Sequence, residues 1–462
     1  MAYTGSTAAI LSNYDEVLKT FYLPAVQEQL NHDTILADLI DTNEEDVSGK
    51  NATVECHYGR TKGTGARADG GALPDADYQK FKTATVPMKY LYGRITVSGP
   101  TIAATRDEKG AYAKALDTEI TGLVVDLKKE VNRMLWGCGY GVLGRWLTTT
   151  SDTVYTLQKQ YRGNSVGSDG FGSAFGGKYL VENGSMVTAV LTTKSATVVT
   201  VFTVSEVDGA VSAVDETTYS TYDTITCGTN PAVTEAAGTY YVRPGNSVTM
   251  TNASAAGLAR REMMGLRGIV TNTDLDQIAM FDGTNTGFTV NDPLQGLATG
   301  SYAWWKANVD LHASGRYAGQ RALSLELMDK MFDTVESKAG KDYGPNLILT
   351  TKAIRREYLK LCRADRRFVN TMTLDGGWKA IDYNGVPFTV DDDAIDGEIY
   401  FLTTKDLQIY RMSDYDWMTK DGSVLSRITG YDAYEAVLFR YSELGCKRRN
   451  SQGVICDLAY TA

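Results

Sequence analysis

The stretch that decides the fold runs from Asn51 to Trp136. It reads NATVECHYGR (51–60), TKGTGARADGGALPDADYQK (61–80), FKTATVPMKYLYGRITVSGP (81–100), TIAATRDEKG (101–110) and AYAKALDTEITGLVVDLKKEVNRMLW (111–136). From Ala52 to Tyr58 the alternation is strict, with Ala52, Val54, Cys56 and Tyr58 on one face and Thr53, Glu55 and His57 on the other. That is the period of a half-buried strand. The return limb, Phe81 to Val97, is rich in Tyr, Val, Ile and Thr. Its apolar parity is even through Val86, Met88, Tyr90 and Tyr92 and odd at Ile95 and Val97, which places a bulge or bend at Gly93. Between the limbs, Gly59 to Tyr78 holds Gly63, Gly65, Gly70, Gly71 and Pro74 and almost nothing apolar. A structureless loop of this length in a compact domain is usually a binding element. A two-stranded arm is marginal by itself, so it must find its packing on another molecule. A long amphipathic helix follows, from about Glu108 to Trp136. Tyr112, Leu116, Ile120, Leu123, Leu127, Val131 and Leu135 repeat at three- and four-residue steps. Asp107 and Glu108 sit at its positive end and Arg133 near its negative end.

Composition narrows the function classes. The chain has 462 residues, which favours two or three domains, and its 43% hydrophobic and 22% charged content is that of a folded protein. No apolar run is long enough to span a membrane. The opening MAYTGSTAAILSNYDE lacks the basic and apolar regions of a secretory signal, so folding in a cytoplasm is expected. Six cysteines at 56, 138, 227, 362, 446 and 456 have no C-x-x-C pair and read as reduced, partly buried thiols. The net charge of −10 argues against a dedicated nucleic-acid binder, but not against a container for nucleic acid.

Motifs for small-ligand chemistry are weak. Gly139, Gly141 and Gly144 fit G-x-G-x-x-G, but the turn follows a helix instead of a strand and reads as a helix stop. Gly172 to Lys178 nearly fits a P-loop, yet Tyr179 stands where a hydroxyl should hold Mg²⁺. His32, His57 and His312 have no zinc-ligand spacing. Asp391, Asp392 and Asp393 read as a solvated turn at a strand end, because a calcium loop needs alternating ligands around a glycine. No catalytic, cofactor or metal site is therefore expected.

Residues 63–81 (GTGARADGGALPDADYQKF), 86–100 (VPMKYLYGRITVSGP) and 130–141 (EVNRMLWGCGYG) resemble tailed-phage major capsid proteins. So do 347–368 (LILTTKAIRREYLKLCRADRRF), 383–402 (YNGVPFTVDDDAIDGEIYFL) and 430–459 (GYDAYEAVLFRYSELGCKRRNSQGVICDLA). The order of elements carries the likeness more than any one motif. It covers most of the chain outside roughly 147–255. The resemblance implies an α+β fold, the Hong Kong ninety-seven-like phage major capsid fold. It also implies a domain plan: an N-terminal arm (1–45), an extended hairpin loop (46–100), and a peripheral domain with a spine helix (101–146, 256–300 and 415–450). An axial domain (301–414 and 451–462) completes it. Residues 147–255, rich in Thr, Ser, Val and Gly, read as an inserted all-β domain, with strands at Val187–Thr193, Thr197–Val204 and Thr239–Arg243. Elsewhere the pattern predicts helices over Leu323–Ser337 and Lys352–Leu361. Strands are predicted over Leu347–Leu349, Val386–Val390, Glu398–Leu402, Leu407–Tyr410 and Val454–Leu458.

The function so implied is structural: self-assembly as hexamers and pentamers into the icosahedral head shell of a double-stranded DNA phage. It is not an enzyme and uses no cofactor. Its expected partners are itself, a separate scaffolding protein, a portal protein and the packaged DNA, bound weakly and without sequence preference, with no membrane. Its expected location is the virion, assembled in the host cytoplasm. Candidate subunit-interface residues are Arg60, Lys62, Arg67, Asp69, Asp75, Lys80 and Lys82 in the hairpin, and Lys447, Arg448 and Arg449 near the C-terminus. Some relatives crosslink through a lysine in this loop; Lys62, Lys80 and Lys82 fit by position only, and no crosslink is expected. The alternatives are an encapsulin-type shell protein and, from another class, a surface carbohydrate-active protein with a β-module.

Overall fold

The computed structural model describes residues 34–45, 47–104, 111–151, 154–158, 181–182, 185–186, 189–193, 202–204, 222–226, 239–243, 260–275, 293–312, 319–364, 371–373, 379–419 and 424–460. The fold is mixed α+β. The hairpin is present: Asn51–Gly59 pairs antiparallel with Lys80–Pro87, placing Ala52 opposite Val86 and His57 opposite Phe81. The alternation read from the sequence holds at its root, where Ala52, Val86 and Met88 close around Tyr410. At Met88 the chain turns into a new strand, Lys89–Ser98, which pairs along its whole length with Ala433–Cys446.

The parity switch therefore lies at Met88 and not at Gly93. In Lys89–Ser98 the odd residues face inward, ending at buried Ile95 and Val97, while Tyr90 and Tyr92 are 52% and 54% exposed. Gly93 has a different task. A Cβ there would sit 2.8 Å from Leu123 Cδ1, so its bare backbone lets the long helix Ala111–Trp136 lie close on the strand. That helix has 26 residues and spans about 39 Å. Its expected acidic start at Asp107 and Glu108 lies outside the described residues. Its last turns are buried at Val131, Met134, Leu135 and Trp136. The glycine motif after it is a helix stop, as expected: Gly139 and Gly141 take φ of +83° and +65° before the strand Val142–Ser151.

Two further sheets organise the body. Ala433–Cys446 is flanked on its other side by Leu407–Trp417, a strand seven residues longer than the predicted Leu407–Tyr410. The consecutive polar residues Ser413 and Asp414 break the alternation there, where the pairing register also shifts, and this hid the extension. A seven-stranded sheet runs in the order Asn308–Asp310, Gly453–Ile455, Ile399–Leu402, Leu347–Thr350, Val386–Val390, Lys379–Tyr383 and Thr371–Thr373. Its strands Leu347–Thr350 and Ile399–Leu402 are buried at every position, which explains their continuous apolar runs. Helix Leu325–Ala339 lies on this sheet through Met328, Met331 and Val335. The approach depends on Gly453, where a Cβ would meet Met331 Sδ and Val335 Cγ2 at 2.8 Å. Ser324 caps the helix by accepting from Leu327 N at 3.2 Å. Helix Lys352–Ala364 buries Ile354, Tyr358 and Cys362 at four-residue steps.

A six-stranded sheet is built from residues 142–242, in the order Phe202–Val204, Ala189–Thr193, Thr239–Val242, Val142–Ser151, Val154–Gln158 and Tyr222–Thr226. All its pairings are antiparallel. The near P-loop at Gly172–Lys178, His32 and most of the expected N-terminal arm lie outside the described residues. The described end of that arm, helix Ile35–Leu39, buries Ile35 and Leu36 against its own chain. The described cysteines Cys56, Cys138, Cys362, Cys446 and Cys456 are buried thiols outside any disulfide.

Candidate assembly surface

Among the described residues, the hairpin carries the longest stretch of chain that its own body leaves uncovered. No residue from His57 to Thr83 is buried. Leu73 is 84% exposed, Tyr78 73% and Phe81 62%. Three large exposed side chains on one element are available for contact with another molecule. The loop nonetheless has internal order. Arg67 donates Nε to Ala72 O and Nη1 to Ala66 O, both at 3.0 Å, so it braces its own turn. Asp77 accepts from Lys62 N at 3.0 Å, and backbone N–H groups of Tyr78 and Lys62 hold its carboxyl below the usual range. His57 Nε2 lies 2.9 Å from Gln79 Oε1 across the base. Tyr58 stacks on Trp304 with ring centroids 5.0 Å apart, and Lys82 Nζ sits 5.5 Å from the Tyr302 ring. Arg60, Asp69 and Asp75 are exposed, and Lys80 is half-buried over Gly59. The loop candidates thus share one projecting element.

The C-terminal triplet does not stay together. Arg449 is fully buried and donates to four backbone carbonyls: Ile269 at 2.8 Å, Thr273 at 3.0 Å, Trp305 at 3.2 Å and Gly268 at 3.3 Å. It ties three segments of its own chain, so its expected place at a subunit surface is corrected. The planar, five-donor guanidinium suits this role because no other side chain reaches four carbonyls at once. Arg448 is half-buried, with its guanidinium 3.6 Å from the Tyr343 ring centre. Lys447 is half-buried.

The Asp391–Asp393 run is also corrected. Asp391 is 2% exposed and is no solvated turn. It accepts from Leu36 N at 3.1 Å and Asp393 N at 2.8 Å, while Asn132 of the long helix donates to Asp393 at 2.7 Å and accepts from Ala37 N at 3.2 Å. Burial, reinforced by Asp393, pushes the Asp391 carboxyl up to about 6. Only the tertiary fold brings these three segments together.

A cleft of about 790 Å³ lies between Lys89–Ser98, the long helix and Arg260–Met263. Its wall carries an ion-pair network that sequence reading missed. Glu130 takes Arg243 on both oxygens at 2.8 and 2.7 Å, and Arg133 bridges Glu130 and Glu262 at 2.8 Å each. Burial opposes the Glu130 charge, but Arg133 and Arg243 outweigh it and hold the carboxyl at about 2. Arg243 directly follows the strand Thr239–Val242, so this network fastens the six-stranded sheet to the long helix. The chemistry here is mechanical: every group neutralises another. Among the described residues there is no group of three or more His, Cys, Asp or Glu placed to hold a metal ion, and no helix long and apolar enough to cross a membrane.

No protein-family model matches the chain, and no curated protein does. Solved structures do. The capsid asymmetric unit of cyanophage A-1(L) superimposes with a TM-score of 0.53 at 12% identity, over 97% of this chain and 99% of that one. The capsid of a native GTA particle matches with a TM-score of 0.47 at 10% identity, over 96% of each chain. An encapsulin complex of Synechococcus elongatus gives a TM-score of 0.45 at 9% identity, over 98% of each. The cyanophage match, which covers nearly all of both chains, fixes the architecture: the chain has the fold of a phage capsid subunit.

Proposed function

We propose that this chain, built on the capsid-subunit fold, is the structural shell protein of a tailed double-stranded DNA phage. The observation that carries the proposal is the hairpin: an ordered loop, uncovered from His57 to Thr83, that displays Leu73, Tyr78 and Phe81 outside the buried cores of the described residues. A second copy of the chain supplies the missing cover. Closed symmetry then engages many modest contacts at once, and the assembly is far stronger than any one of them. Hexamers and pentamers of the chain form the wall. A scaffolding protein and a portal act during assembly in the host cytoplasm, and DNA fills the finished virion. The six-stranded sheet, attached through Arg243 and the turn at Gly141, is an inserted module whose loss leaves the rest of the subunit intact. The subunit performs no catalysis in this role.

Negative-stain electron microscopy and sedimentation of the purified protein test this directly. Closed shells of uniform size are expected, and Leu73→Asp with Tyr78→Asp should leave folded subunits that no longer close. Wild-type protein that stays monomeric at high concentration, with and without co-expressed scaffold, would refute the reading. Small shells filled with a protein cargo would move it to an encapsulin-type container.

A further inference from the structure

A second cleft, of about 560 Å³, lies between helix Leu325–Ala339 and the segment Ala303–Asp310, whose Trp304 also carries the stacked Tyr58 of the hairpin. Lys330 and Lys338 stand on the helix wall, and Lys306 stands opposite. The two helix lysines are eight residues apart, hence on one face and about 12 Å apart along its axis. The Lys330 side chain is 67% exposed and Lys338 is exposed, while Lys306 is half-buried. Lys306 and Lys338 have no acidic partner among the described residues. The carboxylate in the cleft, Asp310, is already matched by Arg321 at 3.1 Å and touches Lys330 only at 3.4 Å. Arg448 adds a further cation at the same helix end, reaching Ala339 O at 3.5 Å. On a chain of net charge −10, Lys306 and Lys338 are thus two cations facing one cleft without a carboxylate of their own, with Lys330 beside them shared with Asp310.

We propose that this cleft binds the phosphodiester backbone of double-stranded DNA. The inference rests on the shell reading, since it names the place where the wall meets its contents. Three cations are held in a concave wall, and the two on the helix are spaced by the axial rise of about three to four nucleotides along one strand. The adjoining helix face carries Glu326, Asp329 and Asp333, which confines the positive potential to the cleft and keeps the contact weak. Weak contact suits a container, because DNA enclosed at high local concentration needs little affinity from each subunit and must still leave.

The test is a salt titration of a short random-sequence duplex against wild-type protein and the double variant Lys306→Gln/Lys338→Gln. Each lysine withdrawn from a phosphate should lower the slope of log K against log salt by roughly 1, so the slope of the double variant should be shallower by about 2. Lys306→Arg/Lys338→Arg should keep the slope, and thermal melting checks that every variant folds. An unchanged slope in the double glutamine variant overturns the proposal. So does competition for the cleft by polyglutamate with no effect of the variants on DNA binding, which would assign the site to an acidic protein segment. Microscopy of the same samples separates the two readings. Normal shells with an unchanged slope sink only the DNA site, whereas wild-type protein without shells sinks the shell reading while the slope still reports on the cleft.

Discussion

Arg449 and Asp391 show how much of this fold hangs on single buried polar side chains. Four carbonyls share one guanidinium. Ile269 O also accepts from Thr271 N at 3.0 Å, so removing the arginine falls hardest on Gly268, Thr273 and Trp305. Buried acceptors left unmatched cost about 1–3 kcal/mol each, so Arg449→Ala should destabilise the subunit by at least ~3 kcal/mol, read from the shift in urea midpoint. Lysine should rescue little, because a point charge cannot reproduce the planar fork. Asp391 makes stability depend on pH. Its folded carboxyl is raised to about 6 from 3.8, so the protonated form is the one the fold prefers. Its contribution is full below pH 3.8 and is lost as pH rises through 6, a change of roughly 3 kcal/mol. Wild-type stability minus that of Asp391→Asn should therefore fall between about pH 4 and 6. A difference that stays flat across that window, or rises, contradicts this assignment.

At the scale of elements, the joints decide more than the elements do. Glu130 fastens the six-stranded sheet to the long helix, and its carboxyl is held at about 2, so its stabilisation is present above 4.5 and disappears as pH falls through 2. Glu130→Gln removes the carboxylate that takes Arg243 on both oxygens and one of the two carboxylates bridged by Arg133, and should cost about 3 kcal/mol, with faster proteolysis within residues 142–242 as the local signature. Two glycines make a paired comparison. At Gly122, inside the long helix, an added Cβ meets nothing within 4 Å, so Gly122→Ala should stabilise by about 0.5–1 kcal/mol. At Gly265 the same atom would lie 2.4 Å from Met134 O and 2.6 Å from Gly137 N. Those are backbone atoms that cannot swing aside, so Gly265→Ala should destabilise by more than about 2 kcal/mol. Melting temperatures of the two variants should move in opposite directions.

For the whole molecule, stability and assembly should be separable. The hairpin from His57 to Thr83 adds no buried side chain to the subunit's cores. Leu73→Asp with Tyr78→Asp should thus leave the melting temperature of the isolated subunit within a degree or so, because exposed substitutions change stability little. The same pair should abolish closed shells in sedimentation. Arg67→Glu breaks the brace to Ala66 O and Ala72 O and should act in the same direction more mildly. Unimpaired shells from both variants would remove the hairpin from the assembly surface.

Alternation, helical repeat and turn chemistry determined the elements of this protein from its sequence. Ala52 to Tyr58 had to be a strand, Leu123 to Leu135 a helix stripe, Val386 to Val390 a buried strand, and Gly139 to Gly141 a stop. Each of these follows from a residue and its near neighbours, so local pattern suffices. The exposure of the hairpin was legible for the same reason, since a glycine-rich loop with almost no apolar residues cannot bury itself. What only the tertiary structure decided depends on partners far away in the chain. Tyr90 and Tyr92 follow the parity of the apolar residues before them, yet the turn at Met88 leaves both facing outward. Arg449 looks like one of three equivalent surface cations until the carbonyls of Gly268, Ile269, Thr273 and Trp305 converge on it. Asp391 looks like a solvated turn until Leu36 and Asn132 arrive from 355 and 259 residues earlier. The three lysines of the second cleft are scattered in sequence and meet only because Gly453 lets helix Leu325–Ala339 settle on its sheet. Hydrophobic period is written along the chain, whereas charge pairing and concavity exist only once distant segments have been brought together.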